Sequence, residues 1–391
     1  MSDAAMDVHG PRVETPGSVR ITRIALYAVE LPYSGGVYHL SGGRTYTSFE
    51  AAIVRLTCDD GTEGWGESTP FGSTYVAAHP AGTRAGIGLL APALLGLDPR
   101  RSERVGDVMD ATLTGHHDAR TALDVACWDA FGKSVGLPVC DLLGGSTDVP
   151  MAPISSIPAC DPEDMRTRVA DHRARGYRAH SVKIGALDAD GGPALDAERI
   201  AASLADRRPG EFFIVDANGG LLPETALRLL ALLPPGLDFA LESPCASWRE
   251  TASLRPRCPY PIVLDELAQS DADVVLGALD TADGIGLKIS KAGGLTPGRR
   301  HRDIARAAGL TISVQDTVGS SLAYAAILHL GATVPPRSLR GVLDCEDMVT
   351  RKVAALDTVV TPDGVLPGRS PGLGATVDEE ALGDPVAVWE S

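Results

Sequence analysis

The chain reads as an α/β protein: a modified (β/α)8, TIM-like barrel behind an N-terminal α+β capping domain. Three observations predict it. From about residue 150 onward, short apolar runs alternate with helical stretches, the pattern of parallel strands laid under helices. Three of those runs end on an acid: FFIVDANGG at Asp216, LDFALESP at Glu242, and YPIVLDEL at Asp265 and Glu266. Ahead of them come strands linked by turns and then helices, which is an α+β module.

The elements follow in order. Val19–Leu31 alternates apolar and polar residues and predicts a half-exposed strand. Pro32–Thr47 is a Gly- and Tyr-rich loop, long enough inside a compact domain to act as a lid. Phe49–Thr57, a turn at Asp59-Asp60-Gly61 and the strand GTEGWGE complete an antiparallel meander. Between Ala81 and Val135 the apolar spacing becomes three and four residues, which predicts helices ending near Gly132 and Gly136. The module closes at LLGG, Leu142–Gly145.

Eight barrel strands are expected in MAPISSI, AHSVKIG, FFIVDAN, LDFALES, PIVLDEL, GIGLKIS, LTISVQD and LRGVLD. PEDMRTRVADHRARG, ETALRLLALL and RRHRDIARAAG are among the helices between them. The expected boundaries are a disordered tail over 1–18, the cap over 19–145, the barrel over 146–358, and a C-terminal segment over 359–391 packing back on the cap.

The strand ends carry the chemistry. Asp216, Glu242 and Asp265 recur at intervals of roughly 25 residues, about one strand, one helix and two loops. Each alone is readable as a helix cap. At consecutive strand ends of one barrel they converge, and three half-buried carboxylates need a cation, because each raises the pKa of the others. Oxygen ligands with no nearby His or Cys favour Mg²⁺. Lys183 and Lys288 end the strands on either side, an arrangement suited to acid/base work, where a bound cation would lower the ammonium pKa values. Lys291 is read as structural. Gln315, Asp316 and Asp344 fall on the same rim. Asp316 and Asp344 are read equally as groups that orient a lysine or contact substrate, or as loop caps. Tyr38, Arg44 and Asn218 complete the candidate substrate contacts.

Composition narrows the partners. The chain has 391 residues, 44% hydrophobic and 22% charged, with a net charge of −16. That charge argues against nucleic acid or an anionic membrane as partner. The seven cysteines have no CxxC spacing, so a reducing compartment with free thiols is expected rather than a zinc site. With no apolar signal-type stretch, the protein is read as cytoplasmic. Barrels with a cap frequently form symmetric oligomers, so a homo-oligomer is expected.

Taken together, CDDGTEGWGE, ALDVACWDAFGK, LLGG, VDAN, LESP, LDEL and LKISKAGG resemble the enolase superfamily, in its mandelate racemase and muconate lactonizing branch. The resemblance runs from about Val19 to the C-terminus. It implies Asp216, Glu242 and Asp265 as Mg²⁺ ligands and Lys183 and Lys288 as acid/base residues on opposite faces of the substrate. One departure stands out. The branch often has Lys-x-Lys at the second strand, whereas here the segment is Ser181-Val182-Lys183, which removes a positive neighbour of Lys183. SGGRTYTSFEAAIVRLTCDDGTEGWGESTPFGSTY is similar to the group containing cis-3-hydroxy-L-proline dehydratases, with proline-betaine epimerases near by.

That resemblance implies removal of a proton α to a carboxylate, an enediolate, and then β-elimination of water from a small amino or imino acid. The alternatives are an amino-acid or proline-betaine racemase or epimerase, a muconate-type cycloisomerase, and a non-catalytic binding or scaffold barrel.

Overall fold

The computed structural model describes residues 17–391; most of the tail expected over 1–18 lies outside the described residues. The eight expected barrel strands all form: Pro153–Ile157, Ala179–Lys183, Phe212–Asp216, Ala240–Glu242, Ile262–Leu264, Gly284–Lys288, Thr311–Gln315 and Leu339–Leu343. They pair in parallel in that order, and the last returns to the first, closing the ring. Their side chains are almost wholly buried, as expected of parallel strands sheathed by helices. Those helices include Pro162–Ala174, Gly192–Leu204, Pro223–Leu232, Leu295–Ala307 and Ser321–Gly331.

Ile21–Pro32, Ser48–Cys58 and Glu63–Ser68 make the antiparallel meander, and Ala387–Glu390 adds a fourth strand beside the first. Helices Pro80–Leu94, Ser102–Thr112 and His117–Val135 follow the meander. The first strand departs from its half-exposed expectation. Ile24 and Leu26 pack with the helices, whereas Tyr27, Val29 and Leu31 join the core shared with the barrel. Both faces are covered through the middle of the strand, while Glu30 and Pro32 at its end stay exposed. Close packing explains two glycines of GTEGWGE: a Cβ on Gly64 or Gly66 would lie 2.1 Å from a backbone oxygen of His117–Val135.

All seven cysteines are free thiols. No helix among the described residues is long and apolar enough to cross a membrane.

Candidate active site

The ladder sets the five sequence-selected residues around one rim. Lys183 pairs with Asp216 across neighbouring strands, and Asp216 pairs with Glu242. Glu242 lies opposite Val263, two residues before Asp265. Lys288 ends the next strand, opposite Gln315. Lys183 and Lys288 therefore stand on the second and sixth strands of a ring of eight, diametrically opposed. The three acids come from the strands between them. Asp216, Glu242 and Asp265 are fully buried, and Lys183, Lys288 and Lys291 are nearly so.

The backbone tightens where the loops after the acidic strand ends begin. Asn218 and Ser243 adopt left-handed φ values of 47° and 40°, a strain of about 1–3 kcal/mol each that clusters at functional sites. The turn at Asn218 lets its N–H and Nδ2 donate to Asp216 at 2.8 and 2.9 Å. Its Nδ2 also reaches Glu266 at 3.2 Å. Ser243 Oγ accepts from the Asp265 N–H at 3.1 Å.

Ammonium groups engage two of the three acids. Lys183 donates to Asp216. Lys288 donates to Asp265 at 2.5 Å, and Lys291 donates to the other oxygen of Asp265. Burial alone would lower the Lys183 ammonium, but Asp216, then Tyr38 and Glu242, outweigh it and the pKa is raised. At Lys288 burial is likewise outweighed by Asp265 and Glu266, and the pKa is raised. Burial pushes Asp265 up, yet Lys288 and Lys291 dominate and hold it well below the usual carboxylate range. Glu242, on the middle strand, is pushed well up by burial and then by Asp216 and Asp265.

Among the described residues no three His, Cys, Asp or Glu side chains form a ready cage for an ion. The donor set nevertheless suits one. Glu242 Oε2, Asn218 Oδ1 and Glu266 Oε2 are buried without a hydrogen-bond partner. All-oxygen donors, an orphaned carboxylate oxygen on the middle strand and mutual carboxylate repulsion together fit a hard divalent cation.

The space between the two lysines is about 20 Å³ and is lined by Tyr38, Leu40, Phe71, Tyr75, Ser156, Ser181, Asn218, Gln315, Thr317, Leu343 and Met348. Tyr38 Oη bonds Ser156 Oγ at 2.9 Å. Arg44 and Asp344 do not line this space. Arg44 donates to the carbonyls of Ser41 and Thr74, both at 2.8 Å. Asp344 accepts from Tyr177 at 2.7 Å in a separate hollow outside the ring. Asp316 is buried behind the rim, accepting from Ser290 and from the Thr317 N–H. Burial pushes it up to about 6.

Sequence reasoning missed four participants. Lys291 was set aside as structural, yet it is one turn beyond Lys288 on the short helix Ile289–Ala292; the three-residue spacing puts it on the same side. Gln315 was placed on the rim without a partner, and its Nε2 donates to Glu242 at 3.1 Å. Tyr75, in a cap loop, donates to Asp265 at 3.1 Å, and nothing in the loop text marks it. Glu67 of the meander is fully buried. It accepts from the Ser320 N–H and Oγ at 2.7 and 2.6 Å and from the Ala323 N–H at 3.2 Å, pinning the cap to the start of Ser321–Gly331.

Comparison with known proteins identifies the family. Residues 164–381 match the family described as Enolase C-terminal domain-like. Residues 38–144 match the Mandelate racemase / muconate lactonizing enzyme, N-terminal domain. A cis-3-hydroxy-L-proline dehydratase of Roseibium aggregatum is 35% identical over 94% of this chain and 99% of its own. An N-succinyl-L-Arg/Lys racemase of Bacillus cereus is 29% identical over 93% and 97%. A crystal structure from Roseovarius nubinhibens complexed with magnesium superposes with a TM-score of 0.93, at 56% identity, covering 95% of this chain and all of that one. The chain is thus an enzyme of the enolase superfamily and belongs to its mandelate racemase/muconate lactonizing enzyme branch.

Proposed function

We propose that the protein is a Mg²⁺-dependent dehydratase of a small hydroxylated imino acid, with cis-3-hydroxy-L-proline as the leading substrate. One observation carries the reading: Lys183 and Lys288 face each other across a ring whose intervening strands supply Asp216, Glu242 and Asp265. Those three carboxylates would hold the cation. Bound there, Mg²⁺ would draw in the substrate carboxylate, offset the charge that builds on it as the α-proton leaves, and lower the lysine pKa values.

The chain's own residues do the rest. The lysine on one wall takes the proton from Cα, and the electron pair forms the Cα–Cβ double bond. The C–O bond at Cβ breaks, and the ammonium on the opposite wall gives the departing hydroxyl its proton, so water leaves. The cap closes the mouth, which keeps bulk water from the reacting atoms.

The lining selects among substrates. Leu40, Phe71, Leu343 and Met348 offer an apolar surface for ring carbons, and Tyr38, Ser156 and Ser181 offer hydroxyls. Among the described residues no arginine or histidine lines the space, so a second substrate carboxylate has no cationic partner there beyond the two lysines. That favours a mono-carboxylate over a muconate-type diacid or a succinylated amino acid. The dehydratase from Roseibium aggregatum supports the same choice.

Epimerisation is the second reading, favoured by the same pair of lysines: the proton removed on one face returns on the other. Incubating the protein with Mg²⁺, deuterium oxide and either cis-3-hydroxy-L-proline or a proline betaine separates the two. Water loss supports the dehydratase. Inversion with one deuterium gained and no water lost supports the epimerase. Deuterium exchange confined to unrelated amino acids overturns both.

A further inference from the structure

The sixth-strand lysine does not stand free at its wall. Lys288 Nζ donates to Asp265 at 2.5 Å and to Tyr75 Oη at 2.6 Å. An ammonium has three N–H bonds in fixed tetrahedral directions. With two committed, the third has one direction left, and Lys288 and Tyr75 both line the space that Lys183 faces. The Tyr75 hydroxyl closes the triangle by donating to Asp265 at 3.1 Å, and its ring lies 5.2 Å from Nζ.

Tyr75 belongs to the cap, in the loop between the strand Glu63–Ser68 and the helix Pro80–Leu94. Its neighbour Thr74 is tied twice to the other cap loop. The Thr74 carbonyl accepts from Arg44 at 2.8 Å, and its hydroxyl bonds Tyr46 Oη at 2.6 Å. Arg44 also holds Ser41, donating to its carbonyl at 2.8 Å and its hydroxyl at 2.5 Å. The Ser41–Gly43 turn then rests on the barrel rim, where the Gly42 N–H donates to the Gly185 carbonyl at 2.9 Å. Packing there is close: a Cβ on Gly185 would lie 2.5 Å from Ser41 Cβ.

We propose that Tyr75 is a positioning residue for Lys288, delivered by two cap loops that Arg44 ties into one lid. Lys288 enters in the acid/base role assigned to it under Proposed function, and the inference rests on that reading. The two loops act as a single element because Arg44 bridges them, so the cap controls the aim of a barrel lysine.

Two readouts on Tyr75→Phe test this. Steady-state kinetics on the hydroxyproline should show kcat lowered about 100-fold, the cost of misaligning a reacting group, with KM within about threefold. Separately, acetic anhydride labelling of Lys288, followed by peptide mass spectrometry on the metal-free protein, should run about tenfold faster, as expected when an ammonium loses one charge-assisted hydrogen bond. Either readout unchanged overturns the role. If the wild-type protein turns over no proline analogue, the substrate reading fails, and labelling alone decides on Tyr75. Arg44→Ala should move both readouts the same way, and adding it to Tyr75→Phe should enlarge neither change. Additive losses would show Arg44 acting independently of Tyr75 and overturn the single lid.

Discussion

Gly286 lies beneath Glu242: a Cβ at position 286 would fall 2.5 Å from Glu242 Oε1 and 3.1 Å from Gln315 Nε2. A hydrogen at this point on the inner wall of the barrel leaves space that the middle carboxylate occupies. Glu242 is fully buried and held by Gln315, so it has little freedom to move aside. Gly286→Ala should therefore weaken the Mg²⁺ binding proposed for Glu242 by about 10- to 100-fold, as when a group supporting a metal ligand is disturbed. Magnesium titration calorimetry beside a thermal melt checks this; tight binding with a normal melt would contradict it.

Removing one lysine at a time should divide the chemistry. Lys183→Ala and Lys288→Ala are each expected to lower turnover by about 10²- to 10⁴-fold. The variant that keeps the α-proton base should still exchange that proton with deuterium oxide, followed by proton NMR. The variant that lacks it should not. Full activity in both variants would place the reaction elsewhere.

The Glu67 clamp, between the meander and the start of Ser321–Gly331, predicts a stability effect. Glu67→Ala strips acceptors from the Ser320 and Ala323 N–H groups and removes a negative charge from the start of a helix. The expected loss is about 2–4 kcal/mol, measured by urea unfolding. A shift below about 0.5 kcal/mol would mean that the helix start is satisfied some other way.

Two of the buried histidines illustrate an acid limit. Burial lowers His180 and His329 from 6.5 to about 4. A depressed pKa contributes stability that is present above 6.5 and is lost as pH falls toward 4. At 1.36 kcal/mol per unit, each accounts for about 3 kcal/mol. Melting temperatures read from pH 7.5 down to pH 4 should fall across that window. The fall should be shallower in His329→Gln, which keeps an acceptor in reach of the Cys140 N–H that His329 Nδ1 now satisfies.

The barrel was legible because its grammar is local. A fully buried strand leaves an unbroken apolar run, and a charge after it marks the rim, so Asp216, Glu242, Asp265, Lys183 and Lys288 could each be picked out from a handful of neighbours. What escaped notice depends on long-range reach. Tyr75 meets Lys288 across 213 residues, and no spacing rule covers such a contact. Arg44 was read as a candidate substrate contact because it sits in the long Pro32–Thr47 loop; its guanidinium donates to the Ser41 and Thr74 carbonyls and to the Ser41 hydroxyl. The first strand looked half-exposed because alternation reports side-chain polarity, and a cap wedged between its own helices and a barrel covers both faces.

An amine on each wall of the ring has a consequence for chirality. Under the acid/base roles proposed for Lys183 and Lys288, whichever mirror image of a substrate settles on the rim, its Cα–H bond would point toward one amine or the other. The barrel would then be indifferent to handedness, and discrimination between enantiomers would fall to whatever turns the molecule over before it is gripped, namely the tyrosines and hydroxyls that line the space. A new specificity within this architecture would need changes in those few overhanging residues, with the proton-moving machinery left as it is.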